Sequence, residues 1–117
     1  MLQSYTRSMA KLDESLDELD GFEWDAGNSA KSWTRHRVGQ GEAEQALLNR
    51  PVVVKEDAKH SSREPRFFAV GRTDGRRLLT VVFTVRGTRI RVISVRPMSR
   101  AERGVYGKAE AHAQGDS

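Results

Sequence analysis

Three apolar runs, rich in Val, Ile, Phe and Thr, dominate the chain between Arg66 and Arg96. Short polar turns at 74–76 and 86–88 separate the runs, and each turn contains a glycine. An Asp-Gly pair between apolar runs is typical of a β-hairpin, and the glycine of the second turn allows another reversal. The pattern therefore predicts a three-stranded antiparallel meander. Its middle strand is apolar almost throughout, which indicates a central strand covered on both faces.

Strict alternation along the outer strands predicts which side chains share a face. In the first strand one face carries Arg66, Phe68, Val70 and Arg72. In the last strand one face carries Ile90, Val92, Ser94 and Arg96, and the other carries Arg89, Arg91, Ile93 and Val95. Arg91 and Arg96 then point in opposite directions, so a single site uses both only if the strand bends.

The residues before the meander predict two helices. Residues 21–25 alternate aromatic and acidic side chains, which favours a short strand at the edge of the sheet. Asp25 can cap a helix that runs to about Arg35. A second helix is expected over 41–50, and Pro51 ends it.

The remaining segments complete an α+β fold. Residues 52–54 read as a short strand and 55–65 as a polar loop. Ser99 and Glu102 form an S-x-x-E capping box that opens a final helix. We therefore expect a small antiparallel sheet of about four strands, packed by two to three helices.

The two ends of the chain are more polar than its middle. Leu12, Leu16 and Leu19 have helical spacing, so residues 1–20 are expected to be a partly ordered extension. Residues 109–117 are expected to form a disordered tail. The whole chain of 117 residues suits one domain.

Composition narrows the classes of protein and site. There is no cysteine, so neither a disulfide framework nor a Cys-based zinc site is expected. The three histidines are scattered without the spacing of metal ligands, and no cofactor is expected. No apolar run is long enough for a transmembrane helix and no signal-peptide pattern is present, so a cytoplasmic location is the simplest expectation.

Charge is distributed unevenly along the chain. Residues 59–103 contain 12 Lys and Arg against 3 Asp and Glu, a local net charge of +9. Residues 1–25 contain 2 basic and 7 acidic residues, a net charge of −5. A basic sheet is typical of proteins that bind a polyanion such as nucleic acid. The alternative is that these arginines are solvated strand-edge charges that discourage aggregation.

An ordered set of residues resembles the BrnT family of toxins from bacterial type II toxin–antitoxin systems. The set runs from Phe22-Glu-Trp-Asp25 to Tyr106 and includes His36, Asp57, His60, Glu64, Arg66, Phe67, Gly71, Arg86, Ile90, Arg91, Ser94, Arg96, Glu102 and Arg103. The resemblance implies a fold similar to the RelE-type ribonuclease toxins, with residues 21–108 as the BrnT-like domain.

The resemblance also implies a function and a partner. The expected function is a metal-independent endoribonuclease that cleaves RNA and inhibits translation. The expected partner is a small BrnA-like antitoxin with a ribbon-helix-helix part, through which the complex contacts operator DNA. One departure lies after the first helix, where the family usually has Lys-His-Gly and this chain has Arg35-His36-Arg37. The lost glycine ends a helix in many proteins, so the turn after His36 is expected to change. Gln40 replaces a residue that is often aromatic.

RNA cleavage without a metal needs a base, an acid and cations that stabilise the charged phosphorane. Arginine suits the last role because its planar fork holds two phosphate oxygens and stays charged. Catalytic candidates are Arg66, Arg91, Arg96, His60 and Glu64. Candidates for RNA contacts are Arg35, His36, Arg72 and Arg89, with the cations of the first helix alternatively serving the helix dipole.

Two alternatives remain open from the sequence. Arg66 or Arg96 could pair with Glu64 or Glu102 and hold the last helix on the sheet. The chain could also be a toxin homologue without activity, which binds the antitoxin as a corepressor or binds RNA without cutting it.

Overall fold

A five-stranded mixed sheet forms the centre of the computed structural model, which describes residues 19–60 and 64–115. In chain order the elements are β1 (Gly21–Trp24), α1 (Ala26–His36), α2 (Gln40–Leu48), β2 (Val53–Glu56), β3 (Arg66–Arg72), β4 (Leu78–Arg86), β5 (Arg89–Pro97) and α3 (Arg100–Gly115). The strands lie in the order β1-β5-β4-β3-β2, and β1 pairs parallel to β5. The α+β fold class is confirmed. The fifth strand is β1, the edge strand expected at residues 21–25.

The meander of β3, β4 and β5 is confirmed as antiparallel, with β4 at the centre of the sheet. Every residue of β4 from Leu79 to Thr84 is buried, as expected for a strand covered on both faces. On one face α1 and α2 close a core that includes Ala46, Leu47 and Phe83. We call the opposite face, which carries Thr80, the second face.

Helix α3 covers only one end of the second face. Tyr106 of this helix is buried and packs with Val70 and Met98. The Tyr106 hydroxyl donates to the carbonyl oxygen of Pro51 at 2.7 Å. Further along, Glu110 pairs with Arg72 at 2.9 Å. This ion pair gives the helix a contact beyond its expected end, and residues 109–115 continue α3 instead of forming a disordered tail. Residues 116–117 lie outside the described residues.

The first turn of α3 is fixed to the sheet by Glu102. The predicted capping box is present: the Ser99 amide donates to Glu102 at 2.7 Å and the Glu102 amide to the Ser99 hydroxyl at 3.2 Å. The same carboxylate accepts two hydrogen bonds from Arg96, at 2.7 and 3.0 Å, and one from Thr80 at 2.9 Å. The Arg96 hydrogen bonds lower the pKa of Glu102 to about 2, against the opposing effect of partial burial.

Gly71 allows β3 and α2 to approach closely. A Cβ at this position would collide with the carbonyl oxygen of Ala46 in α2. The helix backbone therefore lies directly against the strand, and only a residue without a side chain fits between them.

The segments at the edges differ modestly from the expected ones. β2 begins one residue and ends two residues later than expected, and a 3-10 turn, Ala58–His60, follows it. Residues 1–18 and 61–63 lie outside the described residues, so the predicted N-terminal extension is described only at its end. There Leu19 packs against the core, and the Asp20 amide donates to the Thr88 carbonyl at 2.7 Å. None of the helices described is long and apolar enough to cross a membrane.

We expect Gly71→Ala to lower the free energy of unfolding by about 1–3 kcal/mol, because the new methyl group forces strand and helix apart. Chemical denaturation measures the change. Gly104→Ala is the matched control, since its Cβ meets no atom within 4 Å and it lies inside α3. The control should gain about 0.5–1 kcal/mol from helix propensity. A Gly71 variant as stable as the wild type would contradict the close packing.

We expect Glu102→Gln to cost about 1–3 kcal/mol of stability at neutral pH, because charged hydrogen bonds to Arg96 and Thr80 weaken. A carboxyl group whose pKa is lowered by folding stabilises the folded state above its ordinary pKa. That stabilisation disappears as the pH falls from 4.5 to about 2. The difference between variant and wild type, measured by denaturation at several pH values, should therefore shrink across this window. Glu110→Gln, whose carboxylate pairs only with Arg72 among the contacts above, should cost less. A difference that stays constant down to about pH 2 would refute the role of Glu102.

Candidate functional site

One row of side chains crosses the open end of the second face. The strand register places Arg66 opposite Thr84, Thr84 opposite Arg91, and Arg91 opposite Glu23. Residues directly opposite one another on neighbouring strands point to the same side of a sheet. Neighbouring strands are about 4.8 Å apart, so the Cα atoms of Arg66 and Arg91 are separated by roughly 10 Å. Two guanidinium groups on such a spacing can reach one phosphate group between them.

The position of α3 leaves this row accessible. All the contacts of α3 described above lie at the end of the sheet that carries Arg72 and Thr80. The side chain of Arg91 keeps 27% of its surface exposed, whereas Thr84 between the two arginines is buried. The middle of the row is thus closed to solvent, and solvent reaches the charged side chains beside it.

Carboxylates stand beside both ends of the row. The guanidinium of Arg91 lies 3.8 Å from Glu23 and 3.8 Å from Asp25, distances longer than a hydrogen bond. Glu64 accepts two hydrogen bonds from Arg86, at 2.8 and 3.0 Å. Arg91 is therefore held loosely between acids, while Glu64 and Arg86 form a tight pair.

Electrostatics join these groups into one cluster. The hydrogen bond from Arg86 lowers the pKa of Glu64, desolvation opposes the shift, and the charges of Arg86 and Arg91 reinforce it. The charge of Glu23 contributes to the raised pKa of Arg86, after the hydrogen bond and charge of Glu64. Arg66 belongs with these groups through its place in the row, opposite Thr84. We call Arg66, Arg86, Arg91, Glu23 and Glu64 the arginine–carboxylate cluster.

A β-bulge in β5 changes which side chains share its faces. Val82 pairs with Ser94 and Phe83 with Val92, so Ile93 is an extra residue without a partner. Val92 and Val95 therefore both enter the core. The expectation of strict alternation is wrong here, because the extra residue shifts the period by one. Arg91 and Arg96 consequently lie on the same face of the sheet.

Sharing a face does not give Arg96 the same surroundings as Arg91. Both of its terminal nitrogens bond to Glu102, so Arg96 holds the last helix on the sheet, one of the alternatives that the sequence left open. Arg72 is similarly bound to Glu110, at the opposite end of β3 from Arg66. The structure thus separates Arg72 and Arg96 from the cluster by their ion pairs.

Arg89 extends the basic surface beyond the cluster. It pairs across the sheet with Arg86 and with Gly21, one row outside Arg91 on the same face, and it is exposed. Glu64, by contrast, belongs to the cluster itself. His60 ends the 3-10 turn that precedes residues 61–63 and Glu64, and its side chain lies outside what the structure describes.

Arg35 and His36 lie elsewhere, in the last turn of α1, where they line a groove beside β5. The turn that follows keeps a left-handed geometry although its usual glycine is absent. Arg37 has φ 53° and ψ 43°, and its amide donates to the Trp33 carbonyl at 2.8 Å. The backbone therefore follows the same left-handed turn. The expected change is a strain of roughly 1–2 kcal/mol, because a residue with a Cβ adopts this conformation. The Arg37 guanidinium lies over the Trp33 ring at 5.3 Å.

The sequence analysis did not single out Glu23 or Arg86 as site residues. The signal for Glu23 was its place between Phe22 and Trp24, which pack against the core and so turn Glu23 to the second face. The signal for Arg86 was weaker, because nothing in the sequence indicates which acid it meets. Within the described part of the chain, no group of three or more Asp, Glu or His side chains could hold a metal ion.

Comparison with known proteins identifies the family of the chain and a solved structure with a similar fold. Residues 24–102 match the family described as the ribonuclease toxin, BrnT, of type II toxin–antitoxin systems. The crystal structure of the Brucella abortus ribonuclease toxin BrnT, at 1.1 Å resolution, aligns with a TM-score of 0.50 and 22% sequence identity. The alignment covers 68% of this chain and 97% of the Brucella chain, and at this identity it shows the fold alone. No curated protein sequence matches the chain.

The family match covers more than half of the chain, and it includes the last residue of β1, all of the meander and the capping box of α3. The sequence resemblance to this family is thereby confirmed, and the chain belongs to the BrnT family of ribonuclease toxins of type II toxin–antitoxin systems.

Proposed function

We propose that the protein is a metal-independent endoribonuclease that inhibits translation by cutting RNA at the arginine–carboxylate cluster. The observation that carries the proposal is the single row in which Arg66 and Arg91 flank Thr84 on an open face. Carboxylates stand within electrostatic range of Arg91, so charge stabilisation and proton transfer can occur at one place.

In the proposed reaction the 2′-oxygen of a ribose attacks the neighbouring phosphorus, and the bond from phosphorus to the 5′-oxygen breaks. Arg66 and Arg91 hold the non-bridging oxygens and stabilise the phosphorane. Glu64 is a carboxylate at neutral pH, and the hydrogen bond from Arg86 lowers its pKa further. It accepts the proton of the 2′-hydroxyl. His60, a residue type that titrates near neutral pH, is our candidate for the acid that protonates the leaving oxygen.

Other residues in and near the cluster hold these reacting groups in position. Glu23 and Asp25 lie on either side of the Arg91 guanidinium and limit its movement. Arg86 fixes the carboxylate of Glu64 through two hydrogen bonds. Arg96 contributes indirectly, since it places α3 and so keeps the open end of the face uncovered.

A partner follows from membership of the family, because type II toxin–antitoxin systems contain an antitoxin protein. We propose a BrnA-like antitoxin with a ribbon-helix-helix part, which supplies the contacts to operator DNA. In the toxin the cluster described above lies mainly on strands, and a sheet of this kind presents no recognition helix to a DNA groove.

We expect Arg91→Ala to reduce the rate of RNA cleavage by about a hundredfold, because one cation that stabilises the phosphorane is lost. Arg91→Lys should recover only part of the rate, since a lysine keeps the charge but not the fork. Cleavage of a labelled RNA is measured in EDTA, and thermal unfolding confirms that each variant folds.

Lys108→Ala is the control for the loss of one positive charge, because Lys108 is exposed on α3 away from the cluster. It should cleave as the wild type does. Full activity of Arg91→Ala would remove the cluster from the reaction, and loss of wild-type activity in EDTA would refute the metal-independent mechanism.

We expect expression of the wild-type chain to arrest bacterial growth and co-expression of its antitoxin to restore it. Arg91→Ala should not arrest growth yet should still bind the antitoxin in a pull-down assay. Absence of arrest by the wild type, with antitoxin binding retained, would instead support a corepressor without catalytic activity.

A further inference from the structure

A groove of about 330 Å³ lies between α1 and the second half of β5, outside the arginine–carboxylate cluster. The polar side chains that line it are Asn28, Lys31, Ser32, Arg35 and His36 from the helix, and Ser94 and Arg96 from the strand. The volume is at the lower end of the range for small-ligand sites, roughly 300–1,000 Å³.

The groove exists because β1 is shorter than its neighbour. β1 pairs with β5 only from Arg89 to Val92, so the next residues of β5 have α1 beside them instead of a strand. Ser32 on the helix is buried against this edge, and Ser94 on the strand is small. A helix beside a strand with small residues between them leaves a channel along the strand edge.

The charge of the groove is positive. Lys31 and Arg35 are cations, Arg96 is balanced by its ion pair with Glu102, and the helical face of residues 28, 31, 32 and 35 carries no acid. Lys31 and Arg35 are exposed and make no ion pair with the part of the chain that the structure describes. The carboxylate of Glu102 is linked to the groove only by its hydrogen bonds to Arg96. The expected ligand is therefore an anion.

The bulge connects this groove to the cluster. Because of Ile93, Arg91, Ser94 and Arg96 lie along one face of β5. Arg91 pairs with Thr84 and Ser94 with Val82, two residues apart on β4, so Ser94 lies about 7 Å beyond Arg91 along the strand. A chain of phosphates that leaves Arg91 along β5 therefore reaches Ser94 and then the cations of α1.

We propose that this groove binds the phosphate–ribose backbone of the RNA strand that flanks the cleaved bond. The inference rests on the proposed function, because it takes RNA as the substrate. A basic groove that follows the backbone is typical of proteins that bind single strands. Among the described residues that line the groove there is no Phe, Tyr or Trp, and His36 is the one with a ring on which a base could stack, so the groove holds mainly the backbone of the strand.

The test uses 2′-O-methyl RNA, which lacks the attacking hydroxyl and cannot be cut. Affinity for a strand of about 12 nucleotides, within the usual size range of single-strand sites, is measured by fluorescence anisotropy at several salt concentrations. The variant is Lys31→Ala with Arg35→Ala. Both side chains are exposed on a helix and alanine favours helices, so the variant should fold.

The control removes two positive charges outside the groove, with Arg103→Ala and Lys108→Ala on α3. Each phosphate contact to a single strand contributes about 0.7 to the slope of log affinity against log salt. The groove variant should lose about 1.4 from this slope, and the control should not.

The proposal would be overturned if the slope of log affinity against log salt for the groove variant equalled that of the wild type or that of the control. So would a variant that loses only antitoxin binding, since the groove would then hold an acidic part of that partner. Binding does not require cleavage in this test. A wild type that binds the strand through the groove but cuts no RNA would refute the proposed catalysis and leave the groove proposal standing.

Discussion

The need to cover β4 on both of its faces organises this protein. One face is covered by α1 and α2, with Gly71 allowing the helix backbone to lie against β3. Among the described residues α3 is the helix on the other face, and the contacts given above for it lie at one end. The uncovered end must carry polar and charged side chains, and the arginine–carboxylate cluster occupies it. A packing requirement therefore decides where chemistry with an anionic substrate is available.

The arginines of the sheet differ because of the acids they meet. At the covered end, Arg72 and Arg96 are matched by carboxylates of α3 at hydrogen-bond distance, so they stabilise the docking of that helix. At the open end, Arg91 lies 3.8 Å from its two nearest acids and stays partly exposed. A substrate phosphate competes more easily with the second arrangement. Arginine thus has two roles on this sheet, and the extent of α3 decides which arginines have which role.

Much of the fold could be predicted from short-range signals. The turns of the meander, the Asp25 cap and the capping box of Ser99 and Glu102 depend on neighbours in the sequence, and all are present. The length of α3 could not be predicted, because it depends on an ion pair between residues 38 positions apart. Within the site, the strand positions of Arg66 and Arg91 were predictable. The pairing of Arg96 with Glu102 was one of the alternatives that the sequence left open. The partner of Arg86 was not predictable, because Glu64 lies 22 positions away and other acids are nearer along the chain.

The bulge at Ile93 is defined by a count of residues, and this has a consequence for how the protein can evolve. Different side chains can occupy the unpaired position, because it has no partner in the ladder. Loss of one residue there would remove the bulge and leave a regular ladder, with Ser94 still opposite Val82, Val95 opposite Val81 and Arg96 opposite Thr80. The strand can therefore gain or lose one residue at this point without moving Arg91 or Arg96 to the other face of the sheet.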